Sequence, residues 1–191
     1  MLRGRDIKKY SYEFADLWLI NTHNGIQERG IFPIDVNKYP AIKKHLNQYY
    51  DKLESRQDKG VTPYNLRNCN YMEDFFKPKL IYSEIVRDSQ FYFDKSENFF
   101  PEATAFIMVG DYIEKFQYIL NSKFMTYIFK TFYAGGGLGD EGLRYKKIFL
   151  EKLPIPLSMK DIMLTEENVD DILFKEYHLN YQEVVFFKNL F

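Results

Sequence analysis

Apolar positions along the chain fall into short extended runs and two longer helical stripes. Residues 16–23, Asp-Leu-Trp-Leu-Ile-Asn-Thr-His, read as a buried strand holding the only tryptophan, and Asn24-Gly25 turns it. Pro40 opens the next element, where Ile42, Leu46, Tyr49 or Tyr50, and Leu53 recur at helical spacing. Lys43, Lys44, Asp51 and Lys52 take the opposite face, which predicts an amphipathic helix. Residues 54–63 offer almost nothing to bury, which predicts a mobile loop carrying Arg56 and Lys59.

The chain is organised around residues 68–85. Lys77-Pro78 sets the backbone extended, because a residue before proline is pushed out of the helical region, and Leu80-Ile81-Tyr82 follows as a short buried strand. Tyr64, Arg67, Tyr71, Lys77 and Lys79 are expected to crowd its entrance. Arg87-Asp88-Ser89 then turns into a second strand at 90–94, so that the two form a hairpin. Residues 103–109 read as a further strand, ended by Gly110-Asp111. Residues 112–132 then place Ile113, Phe116, Leu120, Phe124, Tyr127, Ile128 and Phe132 on one face of the longest helix. Short strands interspersed with helices predict a mixed α/β (α+β) domain. Beyond Pro156 the pattern turns acidic and helical, with 167–174 and 181–190 as short helices presenting Leu173, Phe174, Val184, Phe186 and Phe187. The expected division is a domain at 1–157, closed by Leu153-Pro154-Ile155-Pro156, and a C-terminal helical clasp at 158–191.

Composition narrows the function. The 191 residues are 46% hydrophobic and 18% aromatic, enough for a sizeable core. No apolar run reaches the roughly 18 residues of a membrane span, and the opening Met-Leu-Arg-Gly-Arg-Asp has no signal-peptide core, so a cytoplasmic location without membrane contact is expected. The abrupt start reads like a domain belonging to a longer polypeptide. One cysteine, Cys69, excludes an internal disulfide, and His23, His45 and His178 lack ligand spacing, so no metal is expected. Net charge is −1, but residues 160–191 alone carry −4, leaving +3 on residues 1–159. Such an excess bears on phosphate contact only through where the cations cluster.

Candidate chemistry is mostly exclusion. Gly137, Gly139 and Gly142 form a formal G-x-G-x-x-G, yet a helix precedes them where a strand is required, and Asp140-Glu141 would repel pyrophosphate; a flexible loop is the better reading. Leu143-Arg144-Tyr145-Lys146-Lys147 follows with three cations around an aromatic, a plausible phosphate or base contact. No two prolines are adjacent, so the Asn/Asp-Pro-Pro-aromatic loop of amino-methyltransferases is absent. Neither a Pro-Asp followed by Glu-x-Lys nuclease pattern nor an activated nucleophile stands out. The residues point to a non-catalytic binding domain.

Five segments in order carry a resemblance: Leu2-Arg3-Gly4-Arg5-Asp6-Ile7, Tyr64-Asn65-Leu66-Arg67, Lys77-Pro78-Lys79-Leu80-Ile81-Tyr82, Ile119-Leu120-Asn121-Ser122-Lys123 and Leu153-Pro154-Ile155-Pro156. The series resembles the TaqI-like C-terminal specificity domain of Type IIG restriction-modification enzymes and adenine-specific DNA methyltransferases. The tail through Tyr177-His178-Leu179 is similar to the short helical end of those proteins, whereas the Gly135 to Gly142 loop matches no family motif. The resemblance implies a target-recognition domain that reads double-stranded DNA for an N-terminal methyltransferase, with or without a nuclease, in the same polypeptide. S-adenosylmethionine would belong to that other part, and no cofactor to this one. Base reading needs Arg, Lys, Asn or Gln against base edges and other cations on phosphates. The candidates are Arg56, Lys59, Tyr64, Arg67, Arg87, Arg144, Lys146 and Lys147. A protein-interaction scaffold using exposed Tyr and Phe is the alternative.

Overall fold

A computed structural model describes residues 1–96, 98–133 and 142–190. The chain divides into two compact units, Trp18–Glu73 and the pair of segments Met1–Leu17 and Asp74–Phe191.

The Trp18–Glu73 unit is held mainly by polar staples. Among its described residues only Thr22, Val36 and Asn65 are buried. The Asn65 carboxamide donates to the carbonyls of Ile34 (2.9 Å) and His23 (3.4 Å) and accepts from the Thr62 hydroxyl (2.6 Å). Thr22 Oγ1 donates to the Tyr64 carbonyl, while Leu66 N–H donates to the Thr22 carbonyl. The helix expected from Pro40 is present but broken: α1 spans Pro40–Asn47 and α2 spans Tyr50–Glu54, with Tyr49 outside helical geometry between them. Neither helix buries a residue fully, so little packing opposes the break. The strand expected at residues 16–23 does not form. Asp16 takes a left-handed φ of 54°, which ends an extended run at its first residue, and Trp18 is 79% exposed. An apolar run becomes a strand only when an edge is available to pair with it.

The second unit is built on a three-stranded antiparallel sheet. Two short strands, β1 (Ile7–Lys8) and β2 (Ser11–Tyr12), pair with each other near the N-terminus. The central strand β3 (Lys79–Ser83) lies between β5 (Phe91–Asp94) and β6 (Ala105–Met108), while β4 (Ile85–Val86) leaves to pair with β7 (Leu143–Arg144). The predicted hairpin partner is thus the observed one, in the register Lys79↔Asp94 to Tyr82↔Phe91. All five residues of β3 are buried because both faces are covered. Leu80 and Tyr82 enter the large core, whereas Ile81 points to a smaller cluster with Leu2, Ile7 and Ala105.

The longest helical stripe is likewise divided, into α3 (Ile113–Asn121), α4 (Lys123–Ile128) and a π-helical turn at Phe129–Tyr133. Ser122 makes the break: its backbone is extended and its hydroxyl caps α4 by accepting from Met125 N–H (3.0 Å). Asn121 is freed to clasp the edge of β5, accepting from Phe91 N–H (2.9 Å) and donating to Phe91 C=O (2.8 Å). Gln117 accepts from Phe93 N–H in the same way (2.8 Å). Side chains of α3 therefore satisfy the open edge of the sheet. After α5 (Lys147–Leu150), the acidic end folds as α6 (Val169–Glu176) and α7 (Tyr181–Leu190), whose Leu173, Phe174 and Phe187 lie in the same core as Leu80. Asp170 caps α4 by accepting from Phe124 N–H (2.9 Å).

Two ionic contacts fix the ends of this unit. Lys79 was expected at the entrance of the strand, yet its side chain and that of Asp94 are both 0% exposed and meet at 2.8 Å. Lys79 Nζ also donates to the Phe75 carbonyl (2.9 Å), and Asp94 accepts from Ser96 Oγ and Phe99 N–H. Burial alone would raise the Asp94 carboxyl, but those bonds outweigh it and hold it below the ordinary value. At the N-terminus Arg3 donates from its backbone N, Nε and Nη2 to Asp6 at 2.7 to 2.9 Å. Gly4 is required between them, since a Cβ there would lie 2.7 Å from Ser83 Oγ and 2.8 Å from the Thr104 carbonyl.

Two stability predictions follow from these contacts. Lys79→Met leaves a buried carboxylate without its cation and should lower the unfolding free energy by about 3–5 kcal/mol, part of which returns in Lys79→Met with Asp94→Leu. Urea denaturation reads both, and a loss below about 1 kcal/mol for the single variant would refute the role. Asp6 is held below its ordinary pKa of 3.8, chiefly by the Arg3 hydrogen bonds. Its contribution is present above the unfolded value and lost as pH falls through the depressed folded one. The gap in stability between wild type and Asp6→Asn should therefore be full at pH 7 and close on acidification below about pH 4.

Candidate nucleic-acid interface

The eight cationic and aromatic candidates sort by what already holds them. In the Trp18–Glu73 unit, Arg56 turns inward, its Nη2 donating to the carbonyls of Pro63 (2.8 Å) and Asn65 (3.1 Å). Residues 54–63 thus have a structural anchor where the pattern predicted none. Lys59 lies on the surface with its ammonium on the Glu54 carbonyl, and Tyr64 donates its hydroxyl to Asn47 Oδ1 (2.6 Å) while its ring meets Tyr50. Arg67 differs from these. Its side chain is 68% exposed, and its one polar partner among the described residues is the still more exposed Asp58, at 3.4 Å, an ion pair worth little in water. The backbone beneath it is firm, because the preceding Leu66 donates to Thr22 and forms a β-bridge with Lys59. An exposed guanidinium on a fixed base can present its fork to a planar acceptor pair.

In the sheet-containing unit the β4–β7 ribbon gathers a second set. Arg144 stands opposite Ile85 in the register, and its Nε donates to Glu84 Oε1 at 2.6 Å. Arg87 follows β4 directly and is exposed, with no ion pair among the described residues. Lys146 is half-buried before α5, and Lys147 is 83% exposed with a loose contact to Glu151 at 3.5 Å. In the antiparallel register Arg87 and Lys147 lie on opposite sides of the Ile85–Arg144 pair, whereas Tyr145 is core, its hydroxyl joined to Ser89 and its pKa raised by burial. The loop at 134–141, with Gly137 and Gly139, lies outside the described residues.

Uncharged polar residues gather at a separate place. A cleft of about 710 Å³ opens in the Trp18–Glu73 unit, lined in part by Asn24, Gln27, Asn68 and Asn70. The Asn24-Gly25 turn and the Asn-Cys-Asn run were visible in the sequence, but nothing local showed that they face one another. Arg5 was also passed over; it lines a shallower pocket with Ser83, Glu84 and Phe106 in the other unit. Among the described residues no group of three or more His, Cys, Asp or Glu is placed to hold a metal ion. No helix of the described residues is long and apolar enough to cross a membrane.

Residues 1–155 match the TaqI-like C-terminal specificity domain, and the chain belongs to that family. A specificity domain of this kind implies DNA binding and sequence recognition in a restriction-modification enzyme, and it is generally non-catalytic. No curated protein matches the chain.

The geometry separates scaffold from surface among the arginines. Arg56→Ala strands the Pro63 carbonyl, removes one of the two donors to the Asn65 carbonyl and should cost about 1–3 kcal/mol of stability. Arg67→Ala should stay within about 0.5 kcal/mol of wild type. Thermal denaturation of the two variants checks the ordering, and equal losses would overturn it.

Proposed function

We propose that the chain reads a short double-stranded DNA sequence as the specificity domain of a Type IIG restriction-modification enzyme. In this reading an N-terminal methyltransferase of the same cytoplasmic polypeptide, with or without a nuclease, modifies adenine at the site so chosen. S-adenosylmethionine binds that part, and this chain contributes no reacting group. The observation that carries the reading is the family match over residues 1–155, supported by the exposure and firm backbone of Arg67.

Roles divide by geometry. Arg67 suits the O6/N7 edge of guanine, for which a bidentate pair discriminates by about 1–3 kcal/mol. Lys147, and Lys146 beside it, suit phosphates, since a point charge on a flexible stem needs no fixed plane. One observation favours the second reading, a protein-interaction scaffold: Leu157, Met163 and Tyr181 are each more than 80% exposed near the acidic end.

Salt and base choice test the reading. Affinity of the 191-residue chain for duplex DNA should fall steeply with salt, because phosphate contacts release counterions, whereas an apolar protein contact would hardly respond. In the full-length enzyme, Arg67→Ala should relax the choice of base at one position of a randomised site library. Lys146→Ala with Lys147→Ala should weaken all sequences alike and flatten the salt slope. If Arg67→Ala lowers affinity uniformly and leaves base preference intact, its assignment to a base is wrong.

A further inference from the structure

The cleft in the Trp18–Glu73 unit is built, and its described lining residues are uncharged. One wall is a narrow hairpin in which Ile26 and Ile31 exchange backbone hydrogen bonds (2.9 and 3.1 Å). Gly25 and Gly30 take left-handed φ values of 75° and 68°, and a Cβ on Gly25 would lie 2.2 Å from the Ile31 carbonyl. The facing wall runs through Asn68 and Asn70. Asn24 ties the floor together: its Nδ2 donates to Asn68 Oδ1, and its Oδ1 accepts from Val61 N–H at 2.8 Å. The carboxamides of Asn24 and Asn68 are therefore committed in whole or in part to the frame.

Gln27 and Asn70 are left over. Both are exposed, and neither carboxamide has an intramolecular partner among the described residues. A carboxamide offers one acceptor and one donor side by side, the complement of adenine N6–H₂ and N7 in the major groove. Phe32 is 82% exposed and Val61 69% exposed on the same cleft, and apolar side chains of this kind match the C5-methyl of thymine. Guanine, by contrast, calls for Arg or Lys and cytosine for a carboxylate. No charged residue lines the cleft among the described side chains. Charge instead sits just outside it, on Arg29, which is paired with Glu73, on Arg67 next to Asn68 and on Lys59 two residues before Val61.

We propose that this cleft is a base-reading site for an A·T pair, in which Gln27, on the turn between Ile26 and Ile31, presents its carboxamide to adenine, Asn70 lies open beside it, and Phe32 packs on the thymine methyl. The inference rests on the DNA reading above and names which bases this surface takes.

The test uses the whole chain and duplexes selected by it from a randomised library. Replacing one adenine of the selected site by 7-deaza-adenine should weaken wild-type binding by roughly 5- to 100-fold. The same replacement should change binding of Gln27→Ala with Asn70→Ala by less than about 2-fold, since the reader of N7 is gone. Uracil in place of the paired thymine should weaken wild type and leave Phe32→Ala unaffected. A gain of function guards against misfolding: Gln27→Glu should move the preference at that position from adenine toward cytosine, whose amino group a carboxylate accepts. If wild type selects a site and the variants keep their sensitivity to 7-deaza-adenine and their preference for adenine, the cleft is not the reader, while the DNA reading stands. If wild type binds no duplex, or all duplexes alike, the DNA reading fails and this inference with it.

Discussion

The buried pair of Lys79 and Asp94 is the constraint on which the sheet-containing unit depends. Register Lys79↔Asp94 is the first pairing of β3 with β5, so an ion pair at 0% exposure stands where a one-residue slip would be most costly. A slip would leave both charges in an apolar interior, which is far worse than losing a hydrophobic contact. With register set, Leu80 and Tyr82 face the large core and Ile81 the small one. The small core in turn draws in Leu2 and Ile7, which bring the Arg3-Gly4-Arg5-Asp6 turn onto the sheet, where Gly4 nearly touches Ser83.

The two units are stabilised by different means. In one, apolar clusters cover both faces of a strand, and carboxamides of Gln117 and Asn121 close the sheet edge. In the other, almost no side chain is fully buried, and Asn65, Arg56, Thr22 and Asn24 hold carbonyls and amides of distant loops. Polar staples fix loop geometry without needing apolar bulk, so the surface stays available for hydrogen bonding. Loops positioned in this way are the usual carriers of recognition. Their bonds are individually modest, about 1 kcal/mol each, but leaving one partner unsatisfied costs more than the bond itself contributes.

The same side-chain chemistry appears in both roles, and only partners distinguish them. Arg56 and Arg67 are both cations near the Tyr64-Asn65-Leu66 step, yet one is spent on backbone carbonyls and the other meets solvent and a loosely placed carboxylate. Asn24 and Asn70 differ likewise, the first tied at both ends and the second open. A chain with net charge −1 can therefore belong to a DNA-reading family, because recognition depends on a few uncommitted groups and not on the sum.

What the sequence alone determined is what local physics decides. Pro78 and a continuous apolar run marked β3; the turn at residues 87–89 marked its hairpin partner; apolar spacing after Pro156 marked α6 and α7; and the ordered motifs marked the family. Tertiary structure decided whatever depends on a distant partner. Residues 16–23 had the composition of a strand and found no edge, and the stripe at 112–132 was cut because Ser122 caps and Asn121 is needed by β5. Lys79 read as a surface cation until Asp94 was placed opposite it. The facing walls of the cleft lie some forty residues apart in the chain, as the Asn24–Asn68 bond records. Periodicity reports which side of an element is apolar, whereas the partner that consumes a hydrogen bond or a charge is chosen by the fold.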